Sequence, residues 1–395
     1  MSPASADIPI VDLSGPQTEV SKQLVDAAAD HGFIYIQNLG HDIPAASIDD
    51  AFALMLTTVH QVRKAVQRTS RRKAGVLHPN QQSRMDKHAR RDIGPPEPKG
   101  THLPINPLHH LAMYAEHLLR ITRWETSKSE PPRIHNPSDR RPPRSNLNRR
   151  AFNFGEFINN KAQQPIPPTV AADEARFSAF ADLCRALCLK ILVLLGQGLQ
   201  VDDFFSSAHF KSPSGSGTIL RFLRYPPPSS TSHTVDDVRA GAHSDYGSIT
   251  LLFRLRGQAG LEILKKDGTW APVPVSPPGT ENDPSPPILI NIGDLLSYWT
   301  NGLFRSTVHR VVFPANRAEG VEGESSTDPR YSIAFFCHPM DNVLLEPVPS
   351  ERVRGFVEEG VVKNPYAERK VLTAGEHLLM RLRETYGTLY EDKKD

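Results

Sequence analysis

The chain has 395 residues, of which 38% are hydrophobic, so it is long enough for one large domain or two ordinary ones with a sizeable core. Its net charge of +2 gives no whole-chain electrostatic case for a nucleic-acid or membrane partner. Three cysteines, Cys184, Cys188 and Cys337, are too few and too odd for a disulfide framework and fit a reducing compartment.

The N-terminus, MSPASADIPIVDLS, has no basic region followed by an apolar run, so no secretory leader is expected. Residues 8–13 (IPIVDL) and 33–36 (FIYI) read as short strands around a helix carrying Val20, Leu24 and Ala27–Ala28 on one face. A second helix is expected from about Ala45 to Leu56. Residues 61–150 hold 20 Lys/Arg against 7 Asp/Glu, a net of +13, which leaves −11 on the remainder; seven of the 16 histidines also fall there. Apolar periodicity nearly vanishes in this stretch, so it reads as a disordered basic segment. From 171 to 200, Phe177, Phe180, Leu183, Leu187, Ile191 and Leu194 recur at three and four residues, the buried stripe of a long helix backing a sheet. Apolar runs such as 191–195 are far too short to span a bilayer, and a soluble, cytoplasmic protein is expected.

From Thr218 the pattern turns to β. Strands are expected at 218–225, 248–255, 261–264, 288–291, 307–313, 331–336 and 342–346, separated by Gly, Pro, Asn and Asp. Many short strands suggest an antiparallel sandwich or barrel, and the number is close to that of a jelly roll. Thr373-x-x-Glu376 is a capping box for a C-terminal helix carrying His377, Leu378, Leu379 and Leu382.

His243-Ser244-Asp245 is the only His-x-Asp in the chain. In extended backbone, residues i and i+2 face one way, so this pair offers an imidazole and a carboxylate to one metal. His309, 66 positions on, is the best third donor, with a satisfied core histidine as the competing reading. Two histidines and one carboxylate on one face leave open positions, the geometry of non-haem iron(II) oxygenases. Arg330 and Ser332 also share a face and make a carboxylate receptor, to which Tyr225 could add a phenol. Cys184 and Cys188 read as buried apolar residues rather than half of a zinc site. Gly293-Asp294 and Asn301-Gly302 read as turns, and Arg305 and Arg310 as paired with acids or solvent. Phe222, Tyr246, Trp299, Phe304 and Phe336 line a cavity or pack the core, and His338 lies near the site or on its rim.

Taken together, His243-x-Asp245, His309 and Arg330-x-Ser332 resemble the signature of the iron(II)/2-oxoglutarate-dependent dioxygenases, and more narrowly the isopenicillin N synthase-like branch. NIGDLLSYWTNGLFRSTVHRVV is similar to that branch's segment around its second histidine, IPIVDLS and HGFIYIQNLG to its N-terminal region, and RFLRYPP to its tyrosine strand. The similarity covers roughly 1–55 and 151–390. It implies a mainly β fold with flanking helices: a double-stranded β-helix (jelly roll) core backed by the long helix. It implies Fe(2+), 2-oxoglutarate and O2, with the metal on His243, Asp245 and His309 and the far carboxylate of 2-oxoglutarate on Arg330 and Ser332, Tyr225 being a weaker carry-over. Leu223 stands where many relatives carry Asn, and the stretch between His309 and Arg330 is longer than usual. The activity implied is hydroxylation or desaturation of a small organic molecule with release of succinate and carbon dioxide. The alternatives are an oxidase of the same fold that does not use 2-oxoglutarate, and an impaired family member with a damaged lid.

The implied parts are an N-terminal dioxygenase-type segment (1–60), a basic insert, disordered or mis-translated (61–150), the lid end with the long supporting helix (151–205), a jelly-roll iron/2-oxoglutarate core (206–350) and a C-terminal helical segment (351–395). Residues 84–99, RMDKHARRDIGPPEPK, read one nucleotide later with permitted codons, become GWTSMHAETLDPPNPK, which resembles a segment of the family itself. Part of 57–150 is therefore expected to be out of frame or intron-derived. Coding DNA whose shifted frame does not give that peptide removes the idea. The insert lacks regularly spaced aromatics and any reader motif, so nucleic acid is not the expected partner.

Overall fold

A computed structural model describes residues 5–57, 150–210, 215–226, 237–313, 329–357 and 370–390. The readings made for residues 61–149, whether disordered, basic arm or out of frame, lie outside the described residues. The strands are β1 (Ile10–Val11), β2 (Phe33–Ile36), β3 (Arg150–Phe154), β4 (Phe157–Ile158), β5 (Lys161–Ala162), β6 (Ile219–Tyr225), β7 (Asp237–His243), β8 (Ile249–Arg254), β9 (Leu261–Leu264), β10 (Trp270–Pro272), β11 (Ile288–Ile292), β12 (His309–Phe313) and β13 (Arg330–Cys337). Two sheets form the core. The larger has the order β1-β2-β11-β8-β13-β6-β3 and the smaller β10-β9-β12-β7. A separate hairpin joins β4 to β5. Pairing is antiparallel except between β1 and β2.

Alternation along the strands sorts the large sheet into two faces. Ile34, Ile36, Leu220, Phe222, Ile249, Leu251, Phe253, Ile288, Ile290, Ile333 and Phe335 belong to one apolar core. Phe33, Tyr35, Leu223, Tyr225, Leu289 and Ala334 belong to a second, with Ala240, Leu261, Ile263 and Val311 of the small sheet. The first core is the sheet's outer face under the helices; the second is the space between the sheets. A jelly roll is the result: one sheet coated by helices outside and facing its partner inside.

The helix Glu174–Gly198 supplies the outer coat, burying Phe177, Phe180, Ala181, Cys184, Leu187, Cys188, Ile191 and Leu195. Phe177 meets Phe222 edge-on at 5.2 Å, and Phe180 lies 5.2 Å from Phe253. The N-terminal helix Gln17–Asp30 packs so closely on it that a Cβ on Gly198 would sit 2.6 Å from the Ser21 carbonyl.

Several expectations are corrected by the structure. Residues 342–346 form no strand, only an isolated bridge from Leu344 to Thr373. Strands β3, β7 and β10 occur where none was expected. Asp294 does not close a turn but begins the short helix Asp294–Trp299, whereas Asn301 and Gly302 do turn the chain, both at positive φ. Of the aromatics for which cavity and core were both open, Phe222, Trp299 and Phe304 take the core reading and pack in the outer core.

Candidate active site

His243 ends β7 and His309 opens β12, and the two are direct cross-strand partners. Their rings lie 4.4 Å apart between centroids. Asp245 sits two residues past His243, with Oδ1 at 4.0 Å from His243 Nε2 and 3.7 Å from His309 Nε2. One donor atom from each of the three lies within 4.8 Å of the others. The structure therefore brings together the three residues singled out from sequence, although His309 starts its strand instead of lying within it.

The histidine tautomers follow from their partners. His243 Nδ1 is 2.7 Å from the Gly241 carbonyl and His309 Nδ1 is 3.1 Å from the Thr307 carbonyl. A carbonyl oxygen only accepts, so each Nδ1 carries the hydrogen and each Nε2 lone pair is left for a cation. The carboxylate is divided in the same way. Asp245 Oδ2 accepts from Thr250 Oγ1 at 2.7 Å and from Asn291 Nδ2 at 2.8 Å, leaving Oδ1 toward the histidines. Burial pushes the Asp245 pKa up, but the neighbouring His309 and His243 and the two hydrogen bonds outweigh it and hold the carboxyl below its ordinary value. This donor set fits a divalent iron.

The three donors line a cavity of about 420 Å³. Arg330 and Ser332 line the same cavity, as do Tyr225 and Leu223. Register explains this: Arg330 is opposite Tyr225 and Ser332 is opposite Leu223, so all four face inward. Arg330 is 3% exposed. Its Nε donates to the Ala259 carbonyl at 3.0 Å, while its Nη1 is buried with no hydrogen-bond partner. Its guanidinium lies 5.3 Å from the centre of the Tyr225 ring. Burial brings its pKa down to about 10, with Tyr225 opposing and Arg254 adding to the fall. A buried donor without an acceptor fits an anion, here the carboxylate of a keto diacid.

Sequence reasoning missed the supports around these groups. Thr250 and Asn291 read only as strand residues. Alternation from the inward Leu252 and Leu289 would have placed both on the cavity side. Asp294 accepts from Ser244 at 2.9 Å, Ser306 at 2.6 Å and Arg381 at 2.8 Å, tying the ligand loop to the C-terminal helix Ala374–Tyr390. That helix contributes Leu378, Leu382 and Thr385 to the cavity. Tyr246 and Phe336 line the cavity, and so does His338, buried and lowered to about 3 by its burial, then by His377 and His209. Arg310 pairs with Glu262 at 2.6 Å on the far side of β12.

Known proteins share parts of this sequence and this geometry. The model of the 2OG-Fe(II) oxygenase superfamily matches residues 216–339, the stretch from β6 to β13. The chain is 28% identical over 394 residues to the UPF0676 protein C1494.01 of Schizosaccharomyces pombe, covering 97% of this chain and 94% of that one. It is 33% identical over 217 residues to the 2-oxoglutarate-dependent dioxygenase htyE of Aspergillus rugulosus, spanning 54% of this chain but only 59% of the relative. The crystal structure of a full-length Neurospora crassa protein in complex with alpha-KG is similar in fold, with a TM-score of 0.61 at 22% identity over 98% of this chain and all of that one. Over residues 216–339, the stretch that carries the three donors and Arg330, the chain therefore matches the 2OG-Fe(II) oxygenase superfamily, and its fold is that of the alpha-KG-bound Neurospora crassa structure.

Proposed function

We propose that His243, Asp245 and His309 hold the iron, that Arg330 and Ser332 with Tyr225 receive the far carboxylate of 2-oxoglutarate, and that the enzyme hydroxylates or desaturates a small organic molecule. The carrying observation is that one cavity holds both the three converging donors and the unpartnered Nη1 of Arg330. Bound iron and 2-oxoglutarate supply dioxygen activation, with release of succinate and carbon dioxide.

The chain's own side chains do the rest. The Nδ1–H bonds to Gly241 and Thr307 aim both imidazoles inward, and Thr250 and Asn291 aim Asp245. Arg330 and Ser332 fix one end of the cosubstrate and so set where its other end lies. Leu378, Leu382, Phe336 and Ile219 give the cavity an apolar wall against which the carbon skeleton of a substrate can pack. Arg221 adds a positive charge to that wall, stacked 4.9 Å from the Phe336 ring centre. A cavity of about 420 Å³ shared with a cosubstrate has room for a small substrate. The parts given above, with 206–350 as the catalytic core, and a cytoplasmic role in tailoring secondary metabolites belong to the same proposal. Three free buried cysteines support a reducing compartment.

The test is a substrate screen after anaerobic loading with iron(II), reading oxygen uptake and succinate together. Equal amounts of both are expected with a substrate, and neither with His309→Ala. Oxygen uptake without succinate would replace this reading with a same-fold oxidase.

A further inference from the structure

Arg254 has no place in the site as described so far, yet the strands put it beside that site. On β8, Thr250, Leu252 and Arg254 share the inward face, and the first two line the cavity. Arg254 is the direct cross-strand partner of Ser332, as Arg330 is of Tyr225. Directly opposed residues bring their Cβ atoms within about 5.5 Å on one face. Ser332 therefore has a guanidinium on either side: Arg330 two residues back along its own strand, and Arg254 on the neighbouring strand.

Both arginines are charged donors in a site that supplies too few acceptors. Arg254 is 4% exposed. Its Nη1 donates to the Val273 carbonyl at 3.0 Å, but its Nε and Nη2 are buried without a hydrogen-bond partner, as is Arg330 Nη1. The nearest aromatic faces are Tyr35 for Arg254, at 5.7 Å, and Tyr225 for Arg330, at 5.3 Å. Among the described residues no carboxylate forms an ion pair with either arginine. Two like charges around one hydroxyl, away from water, are costly unless an anion sits between them. A planar carboxylate has about four lone-pair directions, enough for the donors of both arginines and the Ser332 hydroxyl.

We infer that Arg254 is a second guanidinium for the far carboxylate of the cosubstrate, closing that end of the barrel opposite Arg330 with Ser332 between them. The inference rests on the cosubstrate site proposed above and adds a specificity determinant to it. Two cations select a 2-oxo diacid over a 2-oxo monoacid more strongly than one.

The experiment measures binding by calorimetry to the full chain loaded with manganese(II), a redox-silent stand-in for iron(II). The ligands are 2-oxoglutarate and 2-oxobutyrate, which lacks the far carboxylate. Arg254→Gln should bind 2-oxoglutarate about tenfold or more weakly, the loss of a charge-assisted hydrogen bond. Its 2-oxobutyrate and manganese affinities should stay within about twofold of the parent, a change too small to reflect a lost contact of that kind. Unchanged 2-oxoglutarate binding in Arg254→Gln, with loss in Arg330→Met, would overturn the inference and leave the site itself standing. Equal losses for both ligands would also overturn it, since a general packing defect does not read a carboxylate. Failure of the parent to bind 2-oxoglutarate at all would remove the site and the inference together. If Arg254→Gln does not fold, Arg254→Lys keeps the charge without the fork; a selective loss for 2-oxoglutarate supports the inference and no loss overturns it.

Discussion

Asp245 shows how much of the proposed metal site lies outside its donors. Its Oδ2 is fully occupied by Thr250 and Asn291, and this is what leaves Oδ1 facing His243 and His309. Asn291→Ala frees the carboxylate to rotate and leaves a buried oxygen short of a donor. Manganese(II) or iron(II) affinity should fall about 10- to 100-fold, measured by competition with a metallochromic chelator, while the fold stays intact by circular dichroism. Arg330→Met should raise the 2-oxoglutarate requirement with metal affinity preserved, because the buried carboxylate loses its charged partner. That His243, Asp245, His309, Arg330 and Ser332 share one cavity was legible in the sequence, because the combination is rare and the i, i+2 spacing of 243/245 and 330/332 keeps each pair on one side in extended backbone. Asn291, Thr250 and Arg254 were not, because a polar residue in an apolar strand announces no partner until the neighbouring strand and its register are known.

At the level of elements, the C-terminal helix is the least expected part of the site. Its capping box forms as read: the Thr373 N–H donates to Glu376 at 2.8 Å and the Glu376 N–H donates to Thr373 Oγ1 at 3.2 Å. What spacing did not reveal is its destination over the cavity, with Arg381 latched to Asp294 and Tyr246 bonded to Thr385 at 2.7 Å. Arg381→Ala should loosen this helix by about 1 kcal/mol, the scale of a partly exposed ion pair. Hydrogen exchange across 374–385 should accelerate, and the substrate KM should rise more than kcat falls. Unchanged exchange there would show that the apolar contacts of Leu378 and Leu382 alone hold the helix. Strand β7 escaped the sequence because DVRAGAH is rich in small residues and carries no apolar alternation. Residues 342–346 misled in the opposite direction: VLL has strand character, but Leu345 is buried while Leu344 is 55% exposed and pairs only at one bridge.

For the whole molecule, the two-faced sheet makes the barrel interior and the helical coat separate cores, and the site belongs entirely to the interior. The jelly roll was legible from the number and spacing of short apolar strands. Strand order was not, because sequence neighbours such as β8 and β9 lie in different sheets. Ligand occupancy should stabilise this body as one unit. Manganese(II) at a hundred times its Kd should add about 2.7 kcal/mol to the unfolding free energy, seen as a raised Tm. The rise should vanish in His309→Ala.

The direct pairing of His243 with His309 carries one more consequence. Sixty-five residues lie between them, so the three donors do not converge until a distant stretch of chain has returned to zip against β7 in the correct phase. A slip of a single residue along either strand would swing one imidazole through the sheet and out of reach. On the ligand set proposed above, only molecules whose small sheet has closed in phase present all three donors to one cation.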